Sequence, residues 1–447
     1  MPHGWRTGVA IDVDDAGTIA AVTEGADGAG AERIAGHALA GMPNVHSHAF
    51  QRAFAGSAER GSGRSDSFWT WRETMYAFVA RIQPDHAEAI AAYLYAEMLK
   101  AGYTSVGEFH YLHHAADGTR LGRPTEMAER IRSAARAAGI GLTLLPVLYE
   151  YGGFDARTPQ ERQHRFLMTP DEYVAYWDEL ATTMTGAGQE RLGVAPHSLR
   201  AVAPEHMREV LEYVAARDAS APVHIHIAEQ QAEVDDCLAW SGARPIEWLF
   251  AHAPVTPQWC LVHATHADDG ELRLMADARV VAGLCPTTEA NLGDGLFEAE
   301  TFLAAGGAIG IGSDSHASVD VAEELRWLEY GRRLALERRA VLAGEGEPSV
   351  GGRLYRAALA GGRQAVGRAV GRIEAGARAD LVVVDADHPD LAGVAGDEVL
   401  DRFVFAGARS AIRDVMAGGR WVVREGRHAD EEAITQRYRT TLRALRS

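Results

Sequence analysis

Four short segments carry residues whose types and spacing could do metal chemistry. The first is NVHSH, where His46 and His48 stand two apart. On an extended chain, residues i and i+2 point to one side, so both imidazoles can aim at one ion. The second is VHIHIAEQ, in which His224 and His226 share a strand face and Glu229 follows just past the strand. The third is LVHATH, where His263 closes an apolar run and His266 falls in the loop beyond. The fourth is AIGIGSDSH, whose small residues lead to Asp314. Taken singly these signals are weak. Paired histidines are more often core or surface residues, Glu229 would suit a helix N-terminus, and an Asp after Gly-Ser commonly caps a helix. Taken together they converge. Three neutral histidines and one carboxylate suit Zn²⁺ with an open position for water. Without an ion, the same groups would be buried lacking partners. His224 lies one layer deeper than His226 and reads as a hydrogen-bonded packing residue.

Something must bring these segments together. Apolar runs at 42–46, 104–108, 141–148, 192–195, 222–227, 260–263, 280–285 and 308–312 alternate with amphipathic stretches. In one stretch Ile90, Leu94 and Met98 fall four apart, with Gly102 at the C-cap. Another opens on Pro204 and sets Met207, Leu211 and Val214 on one face. Strands alternating with helices predict a parallel sheet, and eight such units predict an α/β fold closed as a (β/α)₈ barrel. Such barrels place active sites at the C-terminal ends of their strands, where the four segments lie. Strand signals recur near both chain ends, in GVAIDVD, TIAAVTE, ADLVVVDAD and DVMAGGRWVVREG. They predict a small β domain from residues 1–40 and 370–430, with the barrel at 41–369 inserted and a terminal helix at 431–447. GADGAGAER lacks the strand and spacing of a dinucleotide loop and reads as a plain loop.

Composition narrows the function. The 447 residues are 47% hydrophobic and 24% charged, with 44 basic against 62 acidic side chains and a net charge of −18. That balance argues against a nucleic-acid partner and an anionic membrane surface. No run approaches a membrane span and no signal peptide is visible. Three cysteines fit a reducing compartment, so a cytoplasmic protein is expected, as a homodimer. Lys100 is the single lysine, which leaves no phosphate-loop lysine. It ends a helical run and reads as a solvated cation beside the macrodipole.

The layout resembles the amidohydrolase superfamily, in its mononuclear aminohydrolase branch. Branches that bridge two metals use a carbamylated lysine on the fourth strand; LGVAPHSLR has none. Within the branch, GMPNVHSHAFQRAFAG, SFWTWRETMY, APHSLRAV, HIHIAEQ and CPTTEANLGDG resemble the formimidoylglutamate deiminase family. That resemblance implies one divalent metal, Zn²⁺, on His46, His48, His226 and Asp314. It implies catalytic roles for Glu229, His263 and Asp314, and substrate contacts from Gln51, Arg72, Tyr111, His197 and Arg200. The implied substrate, N-formimidoyl-L-glutamate, is a small dicarboxylate. A chain this acidic would repel it unless cations sit locally, and arginine's fork matches a carboxylate. Arg200 follows a strand end, which favours it; Trp69 and Trp71 read as core.

The metal would supply an activated water, and Glu229 would carry its proton to the departing nitrogen. Two rivals share the pattern. Deaminases of guanine, adenosine derivatives or triazines would keep every metal residue but call for stacking aromatics. A non-catalytic barrel would be expected to have lost ligands.

Overall fold

The computed structural model describes residues 4–59, 61, 68–184 and 188–446. Ser67 of the quoted SFWTWRETMY segment and the side chain of Trp69 lie outside the described residues.

The eight apolar runs become the eight strands of a closed parallel barrel. In chain order they are Met42–Ser47, Tyr103–His110, Gly141–Leu148, a split fourth strand, Val223–Ile227, Trp259–His263, Val281–Leu284 and Ala308–Ile311. The last pairs with the first through Ile311 and Asn44. The fourth strand departs from expectation. It forms two pieces, Glu190–Leu192 and Ala195–Pro196, and meets the fifth only at the Val194–Val223 and Ser198–His226 bridges. Gly193 explains the break. Its carbonyl accepts from the Trp177 indole at 3.0 Å, and a Cβ there would lie 2.6 Å from Leu145.

The small residues of the eighth strand also have a steric purpose. A Cβ on Gly310 would meet Val45 at 2.6 Å, and one on Gly312 would lie 2.9 Å from the Cβ of His46. Glycine at 312 therefore makes room for an imidazole at the mouth of the barrel. The helix Pro84–Lys100 buries Ile90, Leu94 and Met98 as their spacing requires. Helix Pro204–Arg217 likewise buries Met207, Leu211 and Val214, with proline in its first turn.

Both chain ends build the small β structure. A five-stranded antiparallel sheet joins His37–Ala40 to Leu381–Val384, Ile412–Ala417, Arg420–Arg424 and Arg427–His428. Gly418 and Gly419, both at positive φ, turn its central hairpin. The hairpin of Val9–Val13 and Ile19–Glu24 forms a separate two-stranded sheet, tied on by the Thr18–Arg378 bridge. The terminal helix Glu431–Arg446 packs on Pro84–Lys100, with Tyr438 stacked 4.0 Å from Tyr93. This contact corrects the expectation for Lys100. Its ammonium is partly buried, bridging Glu97 at 3.1 Å and Glu431 at 2.9 Å, because the terminal helix covers the helix end. All three cysteines are buried and free. Among the described residues, no helix is long and apolar enough to cross a membrane.

Candidate metal centre and substrate cavity

Three imidazoles converge at the mouth of the barrel. The Nε2 atoms of His46, His48 and His226 form a triangle with edges of 3.1, 3.3 and 3.0 Å. Asp314 Oδ1 lies 3.5 Å from His46 Nε2 and 3.4 Å from His48 Nε2. The rings are oriented from behind. His48 Nδ1 donates to Phe109 O at 3.0 Å, and His226 Nδ1 to His197 O at 3.1 Å. The proton of each of these rings is thereby held on Nδ1, leaving an Nε2 lone pair facing its neighbours. Lone pairs packed this closely repel unless a cation stands among them, so the residues fit a metal ion. Burial and the His48 charge push His46 down to about 3, and burial lowers His48 and His226 as well. Each shift favours the neutral imidazole that ligation requires. Burial works against Asp314 ionising, but His46, His48 and His263 outweigh it and hold its carboxyl below the ordinary range.

Local backbone makes this possible. The ends of the first and eighth strands are stitched together, Asp314 N–H to His46 O at 3.0 Å and His48 N–H to Asp314 O at 3.2 Å. Asp314 at φ 40° and His263 at φ 68° occupy the left-handed region, uncommon for residues other than glycine and frequent at working sites. Asp314 caps no helix; Asp320 caps the next one, Val321–Leu336. The strand end that carries His46 and His48 is pinned by Glu108, which accepts from Ser47 Oγ at 2.6 Å, Ala49 N–H at 2.7 Å and Tyr95 OH at 3.0 Å. Burial drives Glu108 up to about 7. An acid closing an apolar run, as Glu108 closes 104–108, is the signal that would have found it.

Glu229 and His263 stand beside Asp314. His263 Nε2 is 3.8 Å from Glu229 Oε1 and 3.7 Å from Asp314 Oδ2. On its other side His263 Nδ1 faces Glu289 Oε1 at 3.2 Å. Burial pulls the His263 pKa down, yet Glu229, Glu289 and Asp314 prevail and hold it up at about 10. Burial raises Glu229. Glu289 was not apparent from spacing; it sits inside the quoted CPTTEANLGDG segment. His224, as expected, is buried deeper and bonded through Nε2 to Ala365 O at 2.8 Å. His266 lies beyond its strand, with Nε2 2.9 Å from Asp294 O.

A partly open cavity lies over these groups. Gln51, Arg72, Tyr111, His197 and Arg200 all line it, together with His48, His226, Glu229, His263 and Asp314. His46 lies behind them. Gln51 Nε2 donates to Tyr111 OH at 3.1 Å, and Arg72 Nη2 to Tyr149 OH at 3.2 Å. His197 Nδ1 is 3.0 Å from Ser198 Oγ. Arg200 is already ion-paired, to Glu233 at 2.9 Å. Aromatic residues Tyr76, Tyr149 and Phe166 complete the wall, with Trp71, so Trp71 is a lining residue as well as a packing one.

The amidohydrolase family profile matches residues 38–422. The chain belongs to that family. This amidohydrolase is 54% identical over 432 residues to the formimidoylglutamate deiminase of Pseudomonas aeruginosa, covering 97% of this chain and 94% of that one. The crystal structure of an amidohydrolase from Brucella melitensis superposes with a TM-score of 0.94 at 46% identity, covering 100% of this chain and 98% of that one. A 5-methylthioadenosine/S-adenosylhomocysteine deaminase of Natronomonas pharaonis is more distant, 29% identical over 88% of this chain and 83% of that protein.

Proposed function

We propose that this amidohydrolase hydrolyses N-formimidoyl-L-glutamate to N-formyl-L-glutamate and ammonia, a step of L-histidine degradation. The observation that carries the reading is the joining of two arginines, Arg72 and Arg200, to a histidine–aspartate metal centre in one cavity. A linear dicarboxylate needs those cations, and the 54% identical relative carries the same activity in its name.

One divalent metal per chain, Zn²⁺, would be held by His46, His48, His226 and Asp314. When bound it supplies Lewis acidity, lowering the pKa of a coordinated water. The protein's own groups do the rest. His263 and Asp314 orient the attacking water by hydrogen bonds. Glu229 takes its proton as the oxygen adds to the amidine carbon. The carbon–nitrogen bond to the terminal nitrogen then breaks. Glu229 returns the proton to that nitrogen, which leaves as ammonia; the remaining hydroxyl proton of the adduct passes to the Asp314 carboxylate, and the carbon keeps the oxygen as a formyl group. Before reaction, the Glu229 carboxylate also faces a cationic amidinium, which suits its place. Gln51, Tyr111 and His197 line the same cavity and would contact the substrate. Buried free thiols agree with a reducing cytoplasm.

The aromatic wall favours a second reading, deamination of a flat heterocycle. Ammonia release across N-formimidoyl-L-glutamate, N-formimidoyl-glycine and guanine separates the two. The first should give the highest kcat/KM. Preference for guanine would overturn the substrate assignment and leave the metal centre standing.

A further inference from the structure

We propose that Glu233 is a positioning residue which fixes the Arg200 guanidinium for the substrate carboxylate. The inference rests on the reading of Arg200 given above. Glu233 stands in the first turn of helix Gln231–Ser241, where an exposed acid would serve only the helix dipole. Its side chain is instead 2% exposed and ion-paired to Arg200, with Oε2 2.9 Å from Nη1. The same oxygen accepts the Glu229 backbone N–H at 3.3 Å. Oε1 has no hydrogen-bond partner among the described residues.

A buried carboxylate is costly unless paired, and Arg200 is the one ion-pair partner of Glu233 among the described residues. For Arg200 the pair has a different consequence. A long arginine in a cavity wall otherwise samples many rotamers, and the substrate would have to order it on binding. Held through Nη1, the guanidinium waits in one place. No hydrogen bond from its other N–H groups is found among the described residues, and the side chain lines the cavity, so they are left for the substrate carboxylate. The bond to Glu229 raises a competing role, in which Glu233 serves the proton carrier. The two roles separate kinetically. Acting through Arg200, Glu233 governs binding; acting through Glu229, it governs turnover.

The experiment compares wild type, Glu233→Gln, Glu233→Asp, Arg200→Ala and the Glu233→Gln/Arg200→Ala double variant. Each is measured for bound metal, for KM and kcat with N-formimidoyl-L-glutamate, and for the Kd of N-formyl-L-glutamate, which needs no chemistry. Glu233→Gln should raise KM and Kd about tenfold, the scale of a charge-assisted hydrogen bond, with kcat and metal nearly unchanged. Glu233→Asp keeps the charge but draws it back, and should raise KM in the same direction. In the Arg200→Ala background, Glu233→Gln should add nothing, because its effect runs through the missing side chain. A fall in kcat at constant KM, or an equal increment in both backgrounds, overturns the proposal. Wild type that binds the product while the variants bind it equally well overturns this proposal alone. Wild type that neither turns over the substrate nor binds the product overturns the proposed function, and this inference with it.

Discussion

His263 Nδ1 lies 3.2 Å from Glu289 Oε1, and the same carboxylate oxygen accepts the Cys285 N–H at 2.8 Å. Glu289 is thus fixed by backbone before it meets the ring. It holds His263 with Nε2 toward Glu229 and Asp314. Glu289→Gln is expected to lower kcat about 10- to 100-fold, the usual cost of losing such a supporting partner, with bound metal retained. Unchanged kcat would show that the ring is held without it.

The metal centre makes a stoichiometric prediction. Purified protein should carry one divalent ion per chain. His46→Ala and Asp314→Ala should lose metal and activity together. Chelation should lower Tm as well, since the ion binds only the folded arrangement of ligands. Two strongly bound ions per chain at full activity would contradict a four-ligand site without a bridging lysine.

Glu229→Gln preserves shape and removes proton transfer. It should keep the metal and lose roughly 10²- to 10⁴-fold in kcat. Near-normal turnover in this variant rules out Glu229 as the proton carrier.

The arginines should act on binding. Arg72→Ala and Arg200→Ala should each raise KM, by an amount corresponding to about 1–3 kcal/mol, and leave bound metal unchanged. Arg200→Lys should rescue only in part, because an ammonium cannot form paired bonds to a carboxylate. The check is kcat/KM for N-formimidoyl-L-glutamate in all three; no change in either alanine variant removes the carboxylate-binding role.

Acid should weaken the ion pairs that tie Glu97 to Arg409 and Lys100. Burial raises Glu97, but Arg409 and Lys100 overcome it and hold its carboxyl below the ordinary range. A carboxyl lowered in the folded state adds stability that is full above its unfolded pKa, and loses it as pH falls through the folded value. Glu97→Gln should therefore be less stable than wild type at pH 7 and approach it in strong acid. Urea midpoints at both pH values test this, and a difference that grows on acidification would refute the pairing.

Local patterns along the chain fix the strands, their order and the residues proposed as metal ligands. Period-2 and period-3.6 patterns are local, so eight apolar runs and their intervening helices could be read directly. His46, His48, His226, His263 and Asp314 could be found because a barrel places strand ends together whatever the detail of its loops. Spacing alone could not find the partners that orient them. Glu289, Glu108 and Glu233 are single acids without a repeating pattern, and each acquires its role from a side chain on another element. The sequence showed Lys100 at a helix end but not Glu431, 331 residues away in the chain and 2.9 Å away in space. It marked Arg200 as a cation, and only the packed structure paired it. Hydrogen bonds and ion pairs act over about 3 Å, so which polar groups meet is settled when the elements pack, after the local pattern has done its part.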